Sequence, residues 1–419
     1  MMEEKATKLE YIKINGVQVP LIYEFSDILP IISLKIVIKA SGFLEDGKKF
    51  GLSHLSSKML DEGTKSLGAL KFAQKLEDKA IRLGSVSGRE TWVFSLDCLG
   101  ENFPYGLKML TNLLDDPNFT AEALEKAKNL TLGQISAKKS DFDYIAYKGL
   151  QKILYKNTPL EHQGIGTEES IKDISLDNVK SFFKNHLDLQ NAMVVIGGNV
   201  SLDEAKKYAK KVLCKLKKGK KRQISFIKTS EKMELKTLKK DTEQAYVYFG
   251  SPFYMKLGDS DLFKAKVLSF ILGASGFGSR LMEEIRVKRG LAYSVYARLR
   301  FELSSSDLFG YLQTKNENKD EAINIVKEVV AKFLEKGVSK SELEGAKKFL
   351  LGSEPLRNET LIQRLTKSHS EIYKGYKLGQ SDRELEQIEA LELEDLNAFI
   401  KSHKEILKLS FFVVCNEDK

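Results

Sequence analysis

The chain has 419 residues, 42% of them hydrophobic and 30% charged, with 7 prolines and 29 glycines. This composition excludes disordered and fibrous classes and supplies enough apolar chain for about two to four packed units. The formal charge of +9 comes from scattered Lys and Arg with a burst at residues 215–222. Those charges do not alternate with aromatics, so they read as a solvated basic surface, and no nucleic acid is expected as a partner.

Three cysteines, Cys98, Cys214 and Cys415, are far apart, odd in number and without CxxC spacing. Neither a disulfide framework nor a cysteine metal site is expected. The opening stretch MMEEKATKLEYIKINGVQV carries acidic residues and no signal-peptide core. No later apolar run approaches the ~18–20 residues that span a bilayer. A cytoplasmic protein without a membrane span is the expectation.

In chain order, residues 40–60 (ASGFLEDGKKFGLSHLSSKML) read as a strand end, a polar loop and a helix beginning near Gly51. Residues 92–99 read as a strand and residues 105–114 as a helix, before the run FTAEALEKAK at 119–128. The second half repeats this order, with a strand at 308–314, a helix at 319–336 and the run VSKSELEGAK at 338–347. The pairs Leu124/Leu343, Glu125/Glu344, Ala127/Ala346 and Lys128/Lys347 share one offset of 219. Thr120 and Ser339 precede acidic, apolar-periodic runs and are predicted N-caps. Each half closes on an apolar run, AMVVIGG at 192–198 and LSFFVVC at 409–415, predicted to be a buried strand.

The duplication divides the chain into residues 1–214, a basic, aperiodic linker at 215–223, and residues 224–419. Strands neighbouring strands, mixed with amphipathic helices, predict an α+β fold: two homologous halves, each of mainly antiparallel sheet layers covered by helices. No GxGxxG after a strand and no GxxxxGK[ST] occurs, so nucleotide folds lose their main support.

Residues 40–60 resemble the first-half signature of the M16 zinc metallopeptidases, the pitrilysin and mitochondrial processing peptidase family, whose helix carries His-x-x-Glu-His. There the two histidines bind zinc and the glutamate activates water. In this register the chain has His54-Leu55-Ser56-Ser57-Lys58. Lys58 offers a cation where a ligand should be, and Ser57 replaces the general base. The third ligand of the family, a downstream glutamate, aligns with Leu132-Gly133-Gln134-Ile135, which has no carboxylate. One ligand of three remains, so no metal is expected in this chain. On a helix with a cation one turn away, His54 reads as a hydrogen-bonded histidine. The run GTEESI at 166–171 also resembles the family and predicts a capped helix start at Thr167.

The second half holds GASGFGSRLMEEIRVKRGLAYSV at 273–295. It resembles the C-terminal halves of the same family: a glycine-rich loop, a helix ending Arg-x-Lys-x-Gly-Leu-x-Tyr, then a strand. By spacing alone Arg286 is a surface cation and Tyr293 a half-buried strand residue. The resemblance implies instead that Arg286 and Tyr293 grip the substrate backbone and stabilise developing negative charge. Gly276 and Gly278, with Gly273, either let a peptide approach closely or form a tight turn. Arg280, Lys288 and Arg289 read as helix-surface charges.

The resemblance further implies a clam-shell arrangement of the halves. It also implies a job, as the non-zinc-binding subunit of a heterodimeric M16-type metalloendopeptidase acting on peptides. Zinc would be the partner's, a homologous chain with an intact His-x-x-Glu-His. The alternative is a proteolytically inactive structural or peptide-binding M16-like protein.

Overall fold

The computed structural model describes residues 7–416. The first strands form a hairpin, β1 (Lys8–Ile14) with β2 (Val17–Phe25), closed by Asn15-Gly16, both at positive φ. Two central residues of this kind match the twist of the flanking strands. With β3 (Ile31–Lys39), β4 (Arg82–Ser87), β5 (Thr91–Leu99) and β6 (Ala192–Gly198) they make a six-stranded sheet in the order β1-β2-β6-β3-β5-β4. Only β2 and β6 run parallel.

A second sheet is built from β7 (Leu235–Lys239), β8 (Gln244–Pro252), β9 (Ala292–Phe301), β10 (Ser306–Lys315) and β11 (Ser410–Cys415), in the order β7-β11-β8-β10-β9. Here too a single pair, β7 with β11, is parallel. The order and directions β2-β6-β3-β5-β4 therefore recur as β7-β11-β8-β10-β9. That is the expected α+β duplication, with β1 as an addition to the first copy.

The sheets alternate by residue as a one-face core requires. In β5, Trp92, Phe94, Leu96 and Cys98 are buried in the first core, while Val93, Ser95 and Asp97 face away. In β9, Val295 and Ala297 enter the second core, joined by Val247 and Phe249 of β8 and Val326, Val330 and Phe333 of the Lys319–Lys336 helix. The predicted caps are formed: Ala123 N–H donates to the Thr120 hydroxyl, and Ser339 closes a capping box with Glu342. Thr167 does the same with Ser170.

Two compact units result, and each takes one segment from the other copy of the duplication. The first comprises residues 1–136, 163–224 and 357–373; the second comprises 137–162, 225–356 and 374–419. The helices concerned, Phe142–Leu154 and Leu361–Tyr373, begin and end 219 residues apart, so they are equivalent elements exchanged between sheets. Phe142–Leu154 lies on β8 and β11, where a Cβ at Gly149 would meet the Phe412 ring at 2.4 Å. Leu361–Tyr373 lies on β2 and β6, where the Arg364 guanidinium donates to Glu24 at 2.7 Å. Glu24 is 1% exposed, so this pair is a buried one.

The basic run at 215–222 follows the helix that ends at Leu213 and holds no helix or strand of its own beyond an isolated bridge from Lys217 to Asp188, yet it is pinned. Arg222 donates to the carbonyls of Ala40 and His186, to the Ser41 hydroxyl and to the Asp188 carboxylate. Among the described residues no helix is long and apolar enough to cross a membrane.

Candidate functional site

The two motifs differ in their local chemistry. In the first unit, Gly51 at φ 90° starts the Leu52–Lys58 helix, and the Asp46 carboxylate accepts from the Gly51 and Ser53 N–H groups at 2.8 Å. Burial raises the Asp46 carboxyl to about 7 despite those hydrogen bonds. His54 sits on this helix, mostly buried. Burial, reinforced by the Lys58 ammonium one turn away, lowers its imidazole to about 4, and its Nε2 has no hydrogen-bond partner. The expected hydrogen-bonded histidine is thus corrected: His54 is neutral and its Nε2 unpaired.

Ser57 is committed elsewhere. It is 2% exposed, donates to the Ser85 carbonyl of β4 at 2.9 Å and meets the Ser85 hydroxyl, which also receives the Trp92 indole N–H. Lys58 turns to Asp61 at 3.0 Å. Gly133 and Gln134 are exposed on the Ala121–Ala137 helix, and a Cβ at Gly133 would meet nothing within 4 Å. Where zinc ligands and base would be required there are one imidazole, a hydroxyl locked to the sheet, an ammonium and an absent side chain. These residues do not fit a zinc ion.

Restoring the helix alone is therefore expected to fail. In the double variant Ser57→Glu, Lys58→His the third position still lacks a carboxylate, and the new glutamate displaces the buried Ser57–Ser85 contact. Elemental analysis is expected to find no stoichiometric zinc, and a peptide digest no zinc-dependent turnover. Zinc-dependent cleavage by this variant would contradict that assignment of the missing ligand.

In the second unit the glycine-rich loop is bracketed by two π-helical turns, Phe270–Ala274 and Glu283–Val287. Their i→i+5 bonds run from the Ser275 N–H to the Phe270 carbonyl and from the Lys288 N–H to the Glu283 carbonyl. Such turns are uncommon and concentrate at functional sites. The helix expected after the loop is formed by the three α-helical residues Arg280–Met282 and the second π turn that continues them. Gly273 is a packing residue: a Cβ there would meet the Ala297 backbone N of β9 at 2.5 Å. Gly276 and Gly278 stand at φ 69° and 89° with open space around them, so they serve the turn and leave its outside accessible.

That turn presents Phe277, which the sequence reading did not single out. Its side chain is 69% exposed, and the Arg286 guanidinium carbon lies 4.7 Å over its ring. The same guanidinium lies 4.8 Å over Tyr293, the second residue of edge strand β9 and 81% exposed. Arg286 and Tyr293 are thus brought together, seven residues apart across the π-turn, and the half-buried strand tyrosine of the spacing argument is not what forms. No hydrogen bond or ion pair engages the Arg286 guanidinium among the described residues. The signal for Phe277 was available in retrospect: a large aromatic between two glycines in a polar loop has no core to enter.

The neighbouring cations are spoken for. Lys288 and Arg289 both bind Glu284, whose carboxyl these bonds lower, and both are surface charges as expected. Arg280 is not: it makes two bonds to the Glu342 carboxylate at 2.7 and 2.9 Å, donates to the Gly337 carbonyl and lies over Phe333. Burial alone would raise the Glu342 carboxyl, but the Arg280 bonds and the Ser339 cap outweigh it and hold it at about 2. Arg280 is a structural clamp under the loop.

The fold and both motifs define the class: the chain belongs to the M16 peptidase family. Residues 27–168 match the family model described as insulinase (peptidase family M16), and residues 173–350 match the model described as peptidase M16 inactive domain. A protein of Helicobacter pylori named non-peptidase homolog YmxG is 44% identical over 99% of this chain and 96% of its own. An uncharacterized zinc protease YmxG of Bacillus subtilis is 26% identical over 84% and 85%. Among solved structures, a peptidase M16 inactive domain from Pseudomonas fluorescens superposes with a TM-score of 0.90 at 24% identity, covering 98% of each chain. The first half of the periplasmic protease PqqL of Escherichia coli does so at 0.81 and 14%, over 99% and 93%.

Proposed function

We propose that this chain is a non-hydrolysing member of the family that binds extended peptide at Arg286 and Tyr293, beside the open turn of Gly276 and Gly278. One observation carries the reading: the Arg286–Tyr293 pair is assembled with Tyr293 exposed and no hydrogen bond or ion pair on the Arg286 guanidinium among the described residues, while the positions for zinc and its base are filled by groups that cannot do that work. The name of the Helicobacter pylori relative supports the same side of the choice. This favours the non-proteolytic alternative over the complementing-subunit reading expected from the sequence. The proposal takes the cytoplasm as its compartment and peptides as its ligands.

The complementing subunit stays as a second reading because both residues of the pair are present and Tyr293 is exposed. In it, a homologous M16 chain with an intact His-x-x-Glu-His brings the zinc. Arg286 and Tyr293 then orient the scissile carbonyl and stabilise its developing charge. The experiment mixes the purified chain with such a partner and follows association, zinc content and peptide cleavage. The first reading predicts no stoichiometric zinc in this chain, bound but intact peptide, and no gain on mixing. A lasting heterodimer that cleaves only when both chains are present favours the second. One tightly bound zinc per chain, or cleavage by the chain alone, overturns both.

A further inference from the structure

We propose that Phe277, Arg286 and Tyr293 form a carboxylate clamp, selecting peptides that offer a carboxylate to the in-plane N–H edge of Arg286. The inference deepens the peptide-binding reading and rests on it. The guanidinium carbon lies 4.7 Å over the Phe277 ring and 4.8 Å over the Tyr293 ring. One cation is therefore shared by two aromatic rings. Guanidinium faces are weakly hydrated and stack well on aromatic rings, whereas all five N–H donors point outward in the plane. Among the described residues no hydrogen bond or ion pair uses those donors, so they are free for a planar two-oxygen acceptor.

No acid among the described residues takes this place. Glu284, two residues before Arg286, is engaged by Lys288 and Arg289, and Glu342 is engaged by Arg280. A single carbonyl would use one donor; a carboxylate uses two and matches the charge. The apolar rim has the same logic. Phe277 and Tyr293, 69% and 81% exposed, lie against the cation and offer apolar surface to the residue bearing the carboxylate. Phe277 reaches this position because Gly276 and Gly278 both hold left-handed φ. Phe277 is thus a specificity-determining contact, acting through the orientation it imposes on Arg286 and through its own ring.

A free peptide C-terminus and an acidic side chain present the same chemistry. Three versions of one labelled, unstructured decapeptide distinguish them: free acid, C-terminal amide, and amide with a penultimate glutamate. Fluorescence anisotropy with the full-length protein is expected to show the free acid binding about tenfold or more tighter than the plain amide, the scale of a charge-assisted bidentate contact. Arg286→Gln is expected to abolish that preference, Phe277→Ala to cut it several-fold, and Phe277→Trp to keep it, at unchanged melting temperature. If the glutamate amide matches the acid, the site reads any carboxylate; if it matches the plain amide, it reads the C-terminus. Equal binding of all three by the wild type overturns the clamp and leaves peptide binding standing. A full preference in Phe277→Ala overturns the role of Phe277. No binding of any version removes the peptide-binding reading with it.

Discussion

Replacing Arg300 by alanine is expected to lower the unfolding free energy by about 3–5 kcal/mol, because it strands a buried carboxylate. Arg300 and Asp307 are opposite each other on β9 and β10, with side chains 16% and 2% exposed. Two hydrogen bonds at 2.6 and 2.5 Å join them, and the Tyr155 hydroxyl donates to the same carboxylate at 2.6 Å. Burial alone would lower the Arg300 guanidinium, but Asp307 outweighs it and raises it further; burial and Asp307 together raise the Tyr155 phenol. Tyr155 closes the exchanged Phe142–Leu154 helix, so the triad ties that helix to the strand pair carrying Tyr293. Removing the whole set (Arg300→Met, Asp307→Leu, Tyr155→Phe) is expected to cost much less than Arg300→Ala, since no charge is then left unpaired. Urea unfolding followed by circular dichroism decides it, and a loss below about 1 kcal/mol for Arg300→Ala would contradict the assignment.

Arg286→Ala is expected to weaken peptide binding by about 10- to 100-fold, the scale of a lost hydrogen bond to a charged group. Tyr293→Phe is expected to weaken it by a smaller factor, about 3- to 10-fold, as for one neutral hydroxyl bond. Tyr293 is exposed and the half-buried Arg286 guanidinium makes no hydrogen bond or ion pair among the described residues, so stability is expected to stay within about 0.5 kcal/mol of wild type. Titration calorimetry with a melting curve on each variant separates the two effects. Wild-type affinity in both variants would show that peptide, if bound, is bound elsewhere.

Much of this was legible in the sequence because it is local. The offset of 219 fixed the repeated helices, Thr120, Thr167 and Ser339 announced their caps, and the apolar runs before residues 198 and 415 became β6 and β11. The departure from the family's zinc motif was legible too, since Lys58 and Gly133 bring neither an imidazole nor a carboxylate to the ligand positions. What was hidden is non-local. The exchange of the Phe142–Leu154 and Leu361–Tyr373 helices leaves no trace in periodicity, because a helix with one apolar stripe fits either of two equivalent sheets. The role of Arg280 was hidden because its partner Glu342 lies 62 residues away. Phe277 was passed over because its value depends on a guanidinium that a π-turn brings across to it, and single-turn π segments have no sequence signature of their own.

The most direct test of the central claim, a peptide site that works without metal, is one titration run twice. An unstructured peptide with a free C-terminus is titrated into the EDTA-treated protein, then into protein with excess zinc, and the recovered peptide is weighed by mass spectrometry. The account predicts the same dissociation constant in both runs and intact peptide at the end. Binding that appears only with zinc, or peptide returned in fragments, would contradict it.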